Sequence, residues 1–534
     1  VESDYCYILT AADRLYDGHG PTATPPVAPN QPWTWQADWT FLTKWPIGYS
    51  ILIVAVRRAF DLPTLDACRW ISVSACALAL VGWFVWVRRN IPLGHSSVCA
   101  GLLAAVASAC AVSTSWLVDP STDLLLVAAM PFVFLAAWRG FEPPITGTPT
   151  RIAASSPAFD AGGRPRGRTA RSQTSLLWLA IAGLLAGGLF WFRYASVFVP
   201  AGIGAFLLIE RYRRRIGPGA VAVFATSAAL PIAALLLING TFGPTDGMQA
   251  QLNLGHTAQL DLSPDLLARA WWGLTALGFY DHHPLAHWIL ALWPVALIVG
   301  AFAFQPARTA ARSFLASPGI TMSACVLLMM LIMLIAATAL FGDKFDYVGL
   351  DRYYIPGRPI YFLLFATPVL MIPRRWTRGL AAVALLIACS WIVGQDWARP
   401  YKRWQVTRHE KTPYGQWSVP FGAGAEDLYP WLAGRAAPEL VVVSNFHEYL
   451  TLETRMPALP VPQDVPTLKT WIDRIRAARE TDDVRVLFVL DPDNRWRDYW
   501  MPSPSEVVEL FSLRPEPSFP PTPAAHVYAF DLDG

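Results

Sequence analysis

Charge is what this chain has least of. Only 15% of its 534 residues are Asp, Glu, Lys or Arg, against about 25% in ordinary soluble domains, which excludes a soluble enzyme as the first reading. Lysine occurs only at Lys44, Lys344, Lys402, Lys411 and Lys469 beside abundant arginine, a bias that points to a GC-rich bacterial genome. The net charge of +3 is too small for a nucleic-acid footprint, and the arginines lie between apolar segments without clustering. Cysteine is found at 6, 68, 76, 99, 110, 325 and 389, never at metal-ligand spacing. The polar last quarter has none, so if exported it folds without disulfides. A Gly-rich phosphate loop, a G-x-S-x-G nucleophile turn and an internal repeat are also missing. The chain opens at Val1 without Met or a signal-like apolar stretch, so a preceding segment is expected.

What is present is apolar surface. Hydrophobic residues make up 54% of the chain, with 24 Trp among them, as interfacial belts and sugar-facing loops demand. A span needs about 20 apolar residues. Ten runs qualify as candidates, near 70–87, 95–115, 121–138, 174–191, 194–211, 218–239, 285–304, 319–341, 359–373 and 379–394. The apolar stretch 47–60 is shorter and ends in Arg57-Arg58, which suits a helix lying in the interface. One set of alternate loops carries Arg88 and Arg89, Arg139 with Arg151, Arg164, Arg166, Arg168 and Arg171, Arg211 with Arg213 to Arg215, Arg308 and Arg312, and Arg374, Arg375 and Arg378. That makes seventeen basic residues, against five in the other set (Arg193, Arg269, Lys344, Arg352 and Arg358). The first set is therefore read as cytoplasmic, and ten crossings place segments 1–69 and 395–534 on the exported side. The expected fold is an α-helical polytopic membrane protein, its bundle over 70–394, with a C-terminal soluble α/β domain.

Loop 139–173, rich in Pro, Gly, Ser and Arg, reads as a disordered cytoplasmic linker. The exported segments instead gather acidic, aromatic and histidine residues. Segment 1–69 holds Trp33, Trp35, Trp39 and Trp45, read as an interface belt ahead of a sugar platform, and loop 240–284 holds Asp281-His282-His283. In the tail, Val441–Val443, Val484–Leu490 and His526–Phe530 read as strands, and Leu468, Trp471, Ile472 and Ile475 recur at helical spacing.

The chain begins Glu2-Ser3-Asp4-Tyr5-Cys6-Tyr7 and continues through an amphipathic stretch to Asp17-Gly18-His19-Gly20. A carboxylate just outside a span can serve as general base toward a hydroxyl, its pKa tuned by burial. Taken alone, it reads more readily as a solvated or helix-capping group. The opening SDYCYILTAADRLYDGHG, followed by Pro46-Ile47-Gly48-Tyr49-Ser50, resembles the opening of the GT-C class of integral-membrane glycosyltransferases, the superfamily of protein mannosyltransferases and lipid A aminoarabinose transferases. Pro120-Ser121-Thr122-Asp123-Leu124 is similar to that class's second acidic motif. Gly188 through Tyr194 resembles its span-to-span Arg turn, Asp351 through Pro356 its RY-x-x-P start of a late helix, and Val443-Ser444-Asn445 the first strand of its exported domain. The order and spacing cover nearly the whole chain. Ser3 separates Glu2 from Asp4 where the class commonly has a double acid, so which of the two is the base stays open, with Asp4 favoured by its place before Tyr5-Cys6-Tyr7.

The resemblance implies an inverting transfer of a sugar from a polyprenyl-phosphate donor to a lipid, glycan or protein acceptor on the exported face of a bacterial cytoplasmic membrane. Asp4 would deprotonate the acceptor, and Asp123 would hold the acceptor, a metal or a cation beside it. Arg352 suits the departing lipid phosphate, because a guanidinium stays protonated and grips phosphate oxygens in pairs. Glu2, Tyr353, Arg193, Lys344 and Arg358 lie at the same membrane face. An Arg at a span's head also simply snorkels to headgroups, and an Asp at a helix start simply complements its dipole. His282 and His283 are candidates for a divalent cation, although adjacent histidines do not easily share one metal. His95, His409, His447 and His526 stand singly and receive no role. Two rival readings remain: a flippase for lipid-linked sugar, disfavoured by spans almost free of ionisable residues, and a silent scaffold with an exported binding domain.

Overall fold

A computed structural model of the chain describes residues 3–23, 39–43, 45–90, 122–141, 175–243, 264–275, 284–303, 317–341, 351–370, 425–437, 440–461, 485–490, 503–519 and 526–529, with a few single residues between. The runs expected at 95–115 and 379–394, the loop beyond Phe141 and the helix expected at Leu468–Ile475 lie outside the described residues.

The chain opens with α1 (Ser3–Tyr16), turns at Gly18 and Gly20, whose positive φ of 89° and 83° only glycine adopts without strain, and forms the small β1–β2 ribbon (Thr22–Ala23, Thr40–Phe41). The interfacial stretch is α2 (Gly48–Phe60). The bundle follows as α3 (Thr64–Asn90), α4 (Thr122–Phe141), α5 (Leu176–Gly188), α6 (Phe198–Tyr212), α7 (Pro218–Phe242), α8 (Pro264–Thr275), α9 (Pro284–Ala303), α10 (Pro318–Phe341) and α11 (Arg358–Leu370). Among the described residues, five helical segments are long and apolar enough to cross a membrane: Thr64–Arg89, Thr122–Phe141, Tyr194–Tyr212, Pro218–Phe242 and Pro318–Ala339. α3 starts at Thr64, ahead of its apolar run, because Thr64 and Asp66 open it with a polar first turn. Large apolar side chains such as Leu237, Leu292, Val299 and Phe302 face outward, where lipid tails would cover them. This is an integral membrane protein.

Backbones in the bundle meet through small residues. Gly183 and Gly187 of α5 face Phe224 and Ala228 of α7, and a Cβ at either glycine would overlap a main-chain carbonyl oxygen of α7. Gly187→Leu therefore forces the two helices apart. Overpacking of this kind costs about 1–3 kcal/mol, and the thermal unfolding midpoint of the detergent-extracted protein should fall by several degrees. An unchanged midpoint would mean that α5 and α7 do not meet this closely.

The two ends of the bundle differ in chemistry. At one end Arg88 and Arg89 close α3, and the Arg139 guanidinium of α4 lies 4.7 Å from the Trp178 ring centre of α5. There too the buried Glu210 of α6 takes Arg213 at 2.8 Å and Arg215 at 3.1 Å, folding the turn back on its helix. The other end holds Asp123, Arg193, a 3-10 segment at Asp351–Gly357, α1, α2 and the tail.

The tail forms α12 (Ala425–Ala433), β3 (Leu440–Ser444), α13 (His447–Thr454), β4 (Ala458–Pro460), β5 (Arg485–Leu490), α14 (Pro504–Leu510), β6 (Arg514–Pro515) and β7 (His526–Ala529). Its sheet runs in the order β4-β3-β5-β7-β6, with β3 parallel to β4 and β5 and β7 antiparallel to β5 and β6. β3, β5 and β7 stand where the runs Val441–Val443, Val484–Leu490 and His526–Phe530 predict them, while the short β4 and β6 were not expected. Alternation along β3 and β5 divides their residues between two faces. Val441, Val443, Val486 and Phe488 pack on Val507 and Phe511 beside α14. Val442, Leu487 and Val489 join Tyr5, Leu9, Tyr49 and Ile53 of α1 and α2 in one core. The tail is thus docked on the helix that carries Asp4.

Candidate active site

Short polar contacts made by buried residues place α1. The Ser50 hydroxyl donates to the Ile8 carbonyl at 2.8 Å. Asp13, buried, accepts from Arg57 at 2.7 Å and from the Thr64 hydroxyl, tying the end of α1 to α2 and the start of α3. The Arg57 guanidinium also lies 3.7 Å from the Tyr16 ring centre. Gly48 is small for a reason: a Cβ there would collide with the main chain of Trp191. The motif Pro46 to Ser50 is thereby explained as a close approach at Gly48, a fully buried ring at Tyr49 and a backbone clamp at Ser50. Trp39 and Trp45, read from sequence as belt residues, pack on α1. Trp39 sits 3.7 Å from the Arg14 guanidinium, whose pKa burial lowers while Asp17 partly offsets the effect, and Trp45 stacks on Tyr7 at 4.8 Å. Trp33 and Trp35 lie outside the described residues.

Between α5 and α6 the chain makes a tight turn held by three side-chain hydrogen bonds. Trp191 Nε1 donates to the Pro231 carbonyl at 2.8 Å, Tyr194 donates to the Thr43 carbonyl at 2.7 Å, and Asn239 donates to the Tyr194 oxygen at 2.8 Å. Arg193, extended between them, reaches across to form an ion pair with Asp123. Asp123 is the second residue of α4, where the helix dipole favours a carboxylate, and its side chain is only 1% exposed. The same guanidinium lies 4.8 Å from the Tyr353 ring centre. Tyr353 belongs to the 3-10 segment Asp351–Gly357, wedged in place by the buried Tyr354, for which Gly273 of α8 leaves room. Arg352 is in this segment too, and Arg358 is buried at the head of α11. Asp123, Arg193 and Tyr353, drawn from three separate stretches of sequence, therefore form one cluster.

No family model matches the chain, and no curated protein matches it in sequence. Similarity appears in three dimensions. ArnT from Cupriavidus metallidurans, solved bound to undecaprenyl phosphate, superposes with a TM-score of 0.52 at 13% identity, covering 98% of this chain and 93% of that one. The chain has the GT-C fold. The Archaeoglobus fulgidus oligosaccharyltransferase, solved with Zn and sulfate, aligns more loosely, with a TM-score of 0.44 at 14% identity over 99% of this chain and 69% of its own.

On this GT-C scaffold Asp4 lies in the first turn of α1. Glu2, Lys344, His282 and His283 lie outside the described residues. Among the described residues there is no group of three or more His, Cys, Asp or Glu side chains that could hold a metal ion. Sequence reasoning treated Asp123 and Arg193 as separate candidates, whereas each is the other's partner. It also passed over Tyr7, Asp13, Arg57 and His447, which fix α1. A faint signal for His447 existed: His447-Glu448 is a polar pair that follows directly on an apolar strand and turn.

Proposed function

We propose that the protein is an integral-membrane glycosyltransferase that moves a sugar from a polyprenyl-phosphate donor to a hydroxyl acceptor, inverting the anomeric centre. The observation that carries this reading is the Asp123–Arg193–Tyr353 cluster, gathered with the helix of Asp4 and the segment of Arg352 at the arginine-poor end of a GT-C bundle. Asp4 is the general base: its carboxylate takes the acceptor proton as the acceptor oxygen attacks the anomeric carbon and the polyprenyl phosphate departs. Arg352 binds the phosphate, whose charge grows as the glycosidic bond breaks. Asp123 holds Arg193 in place, and Tyr353 buttresses it. Glu2 and Lys344 are further substrate-binding groups, and His282 and His283 remain candidates for a divalent cation.

The sidedness follows from charge. Seventeen loop arginines at one set of helix ends against five basic residues at the other favour an exported active site, in a bacterial cytoplasmic membrane. α3 and α4 run parallel, since Gly82 meets Pro131 and Trp86 meets Trp138, which supports a crossing between them and a total of ten. The domains proposed are an exported first segment to about residue 69, the bundle over 70–394 and an exported tail from 395.

The test reads the donor without naming its sugar. Lipid extracts of producing cells, analysed by mass spectrometry, should show polyprenyl-phosphate sugar accumulating with Asp4→Asn and depleted with the unaltered protein. Equal pools in both would overturn the proposal.

A further inference from the structure

The helix α13 has no obvious reason to be polar. It is eight residues long and nearly all of it is buried, including His447, Glu448, Thr451 and Glu453. Apolar residues of similar volume would hold such a helix in place at least as well, so buried ionisable groups call for another account. Thr451 serves the tail itself, donating to the His447 carbonyl at 2.8 Å and accepting from Ala458 N at 3.1 Å. His447 does not. Its Nε2 lies 2.7 Å from the hydroxyl of Tyr7, 440 positions away on α1. Its Nδ1 lies 3.0 Å from Glu448 Oε2. The Nε2–Tyr7 hydrogen bond is the one that reaches α1, and which partner donates depends on the imidazole tautomer.

Both sides of this contact are rigid. On α1, the Tyr7 ring is stacked on Trp45, with planes 23° apart and centres 4.8 Å apart, and meets the imidazole edge at 5.8 Å. On the tail, β3 leads straight into α13 through a turn in which Phe446 N donates to Ser444 Oγ at 3.0 Å. The Val443-Ser444-Asn445 motif thereby aims His447. Positions 4 and 7 are one helical turn apart on the same face of α1; the anchors at Ser50 and Asp13 grip the middle and far end of the helix, and Tyr7 ties its first turns to the tail, beside the core contacts of Tyr5 and Cys6.

We propose that His447 is a positioning residue: its hydrogen bond to Tyr7 holds the first turn of α1, and with it Asp4, so that the docked C-terminal domain is a working part of the active site. This rests on Asp4 being the general base. A displacement near 1 Å at a reacting group can cost about a hundredfold in rate, and the loosening of one turn should cost roughly tenfold.

The probe is the total lipid extract of producing cells, its polyprenyl-phosphate sugar followed by mass spectrometry in membranes carrying each variant. Tyr7→Phe and His447→Ala should each slow donor consumption about tenfold at saturating extract, leaving the half-saturating amount unchanged. The double variant should be no slower than either single, and His447→Gln, whose terminal amide reaches the Nε2 position and can either accept from or donate to the Tyr7 hydroxyl, should recover most of the rate. Losses that multiply in the double variant, a shift confined to half-saturation, or full activity in Tyr7→Phe would overturn the positioning role. Asp4→Asn is run beside them. If it is inactive while Tyr7→Phe is not, only the positioning role fails; if Asp4→Asn is active, the base assignment falls and this inference with it.

Discussion

Asp4→Asn reduces donor turnover by at least about a hundredfold, the lower end of what general-base catalysis contributes. An amide has the shape of the carboxylate but cannot take up the acceptor's proton, so the acceptor must attack as a neutral hydroxyl. The fold should be untouched. α1 is held by Ser50 on Ile8, by Arg57 and Thr64 on Asp13 and by a core that includes Tyr5, Cys6, Ile8 and Leu9, none of which needs a charge at position 4. The measurement is donor loss per unit of protein, with the thermal midpoint as control. Glu2→Gln run in parallel decides between the two opening acids: the base assignment moves to Glu2 if that variant loses turnover and Asp4→Asn keeps it.

The second large effect is on stability as well as chemistry. Arg193→Leu leaves the Asp123 carboxylate buried without its cation, and removing one member of a buried ion pair typically costs about 3–5 kcal/mol. Asp123→Asn should destabilise for the reciprocal reason, less severely, because Arg193 is 15% exposed and also contacts the Tyr353 ring. The double variant Asp123→Asn/Arg193→Gln removes both charges and should recover much of the lost stability. Activity should not return with it, since the cluster then lacks the cation that Asp123 orients. Thermal unfolding and donor turnover measured on the same preparations separate the two effects. Single variants as stable as the unaltered protein would show that the pair is not buried as described.

Much of the bundle was legible because span length and apolar composition are local properties. α4, α7 and α10 begin and end within a few residues of the runs at 121–138, 218–239 and 319–341. The sheet was legible for a similar reason, since buried parallel strands read as unbroken apolar runs, as β3 and β5 do. The site was legible residue by residue but not as an assembly. Nothing within a few positions of Asp123 announces Arg193, because their pairing depends on how α4 meets the turn after α5. The same limit hid His447, whose partner sits 440 positions away and whose own surroundings look ordinary until the tail docks. Trp39 and Trp45 show the same limit: a tryptophan beside a span reads as an interface residue, and its sequence position does not reveal that both rings also pack against α1.

The proposed site at this membrane end binds a polyprenyl phosphate through Arg352. Native mass spectrometry of the detergent-extracted protein, unaltered and with Arg352→Ala, measures that directly. The account predicts a co-purified polyprenyl phosphate or its glycosylated form on the unaltered protein, its sugar readable from the mass, and loss of that lipid from a variant that remains folded. Bulk phospholipid alone on both proteins, or the polyprenyl lipid retained equally by both, would contradict it.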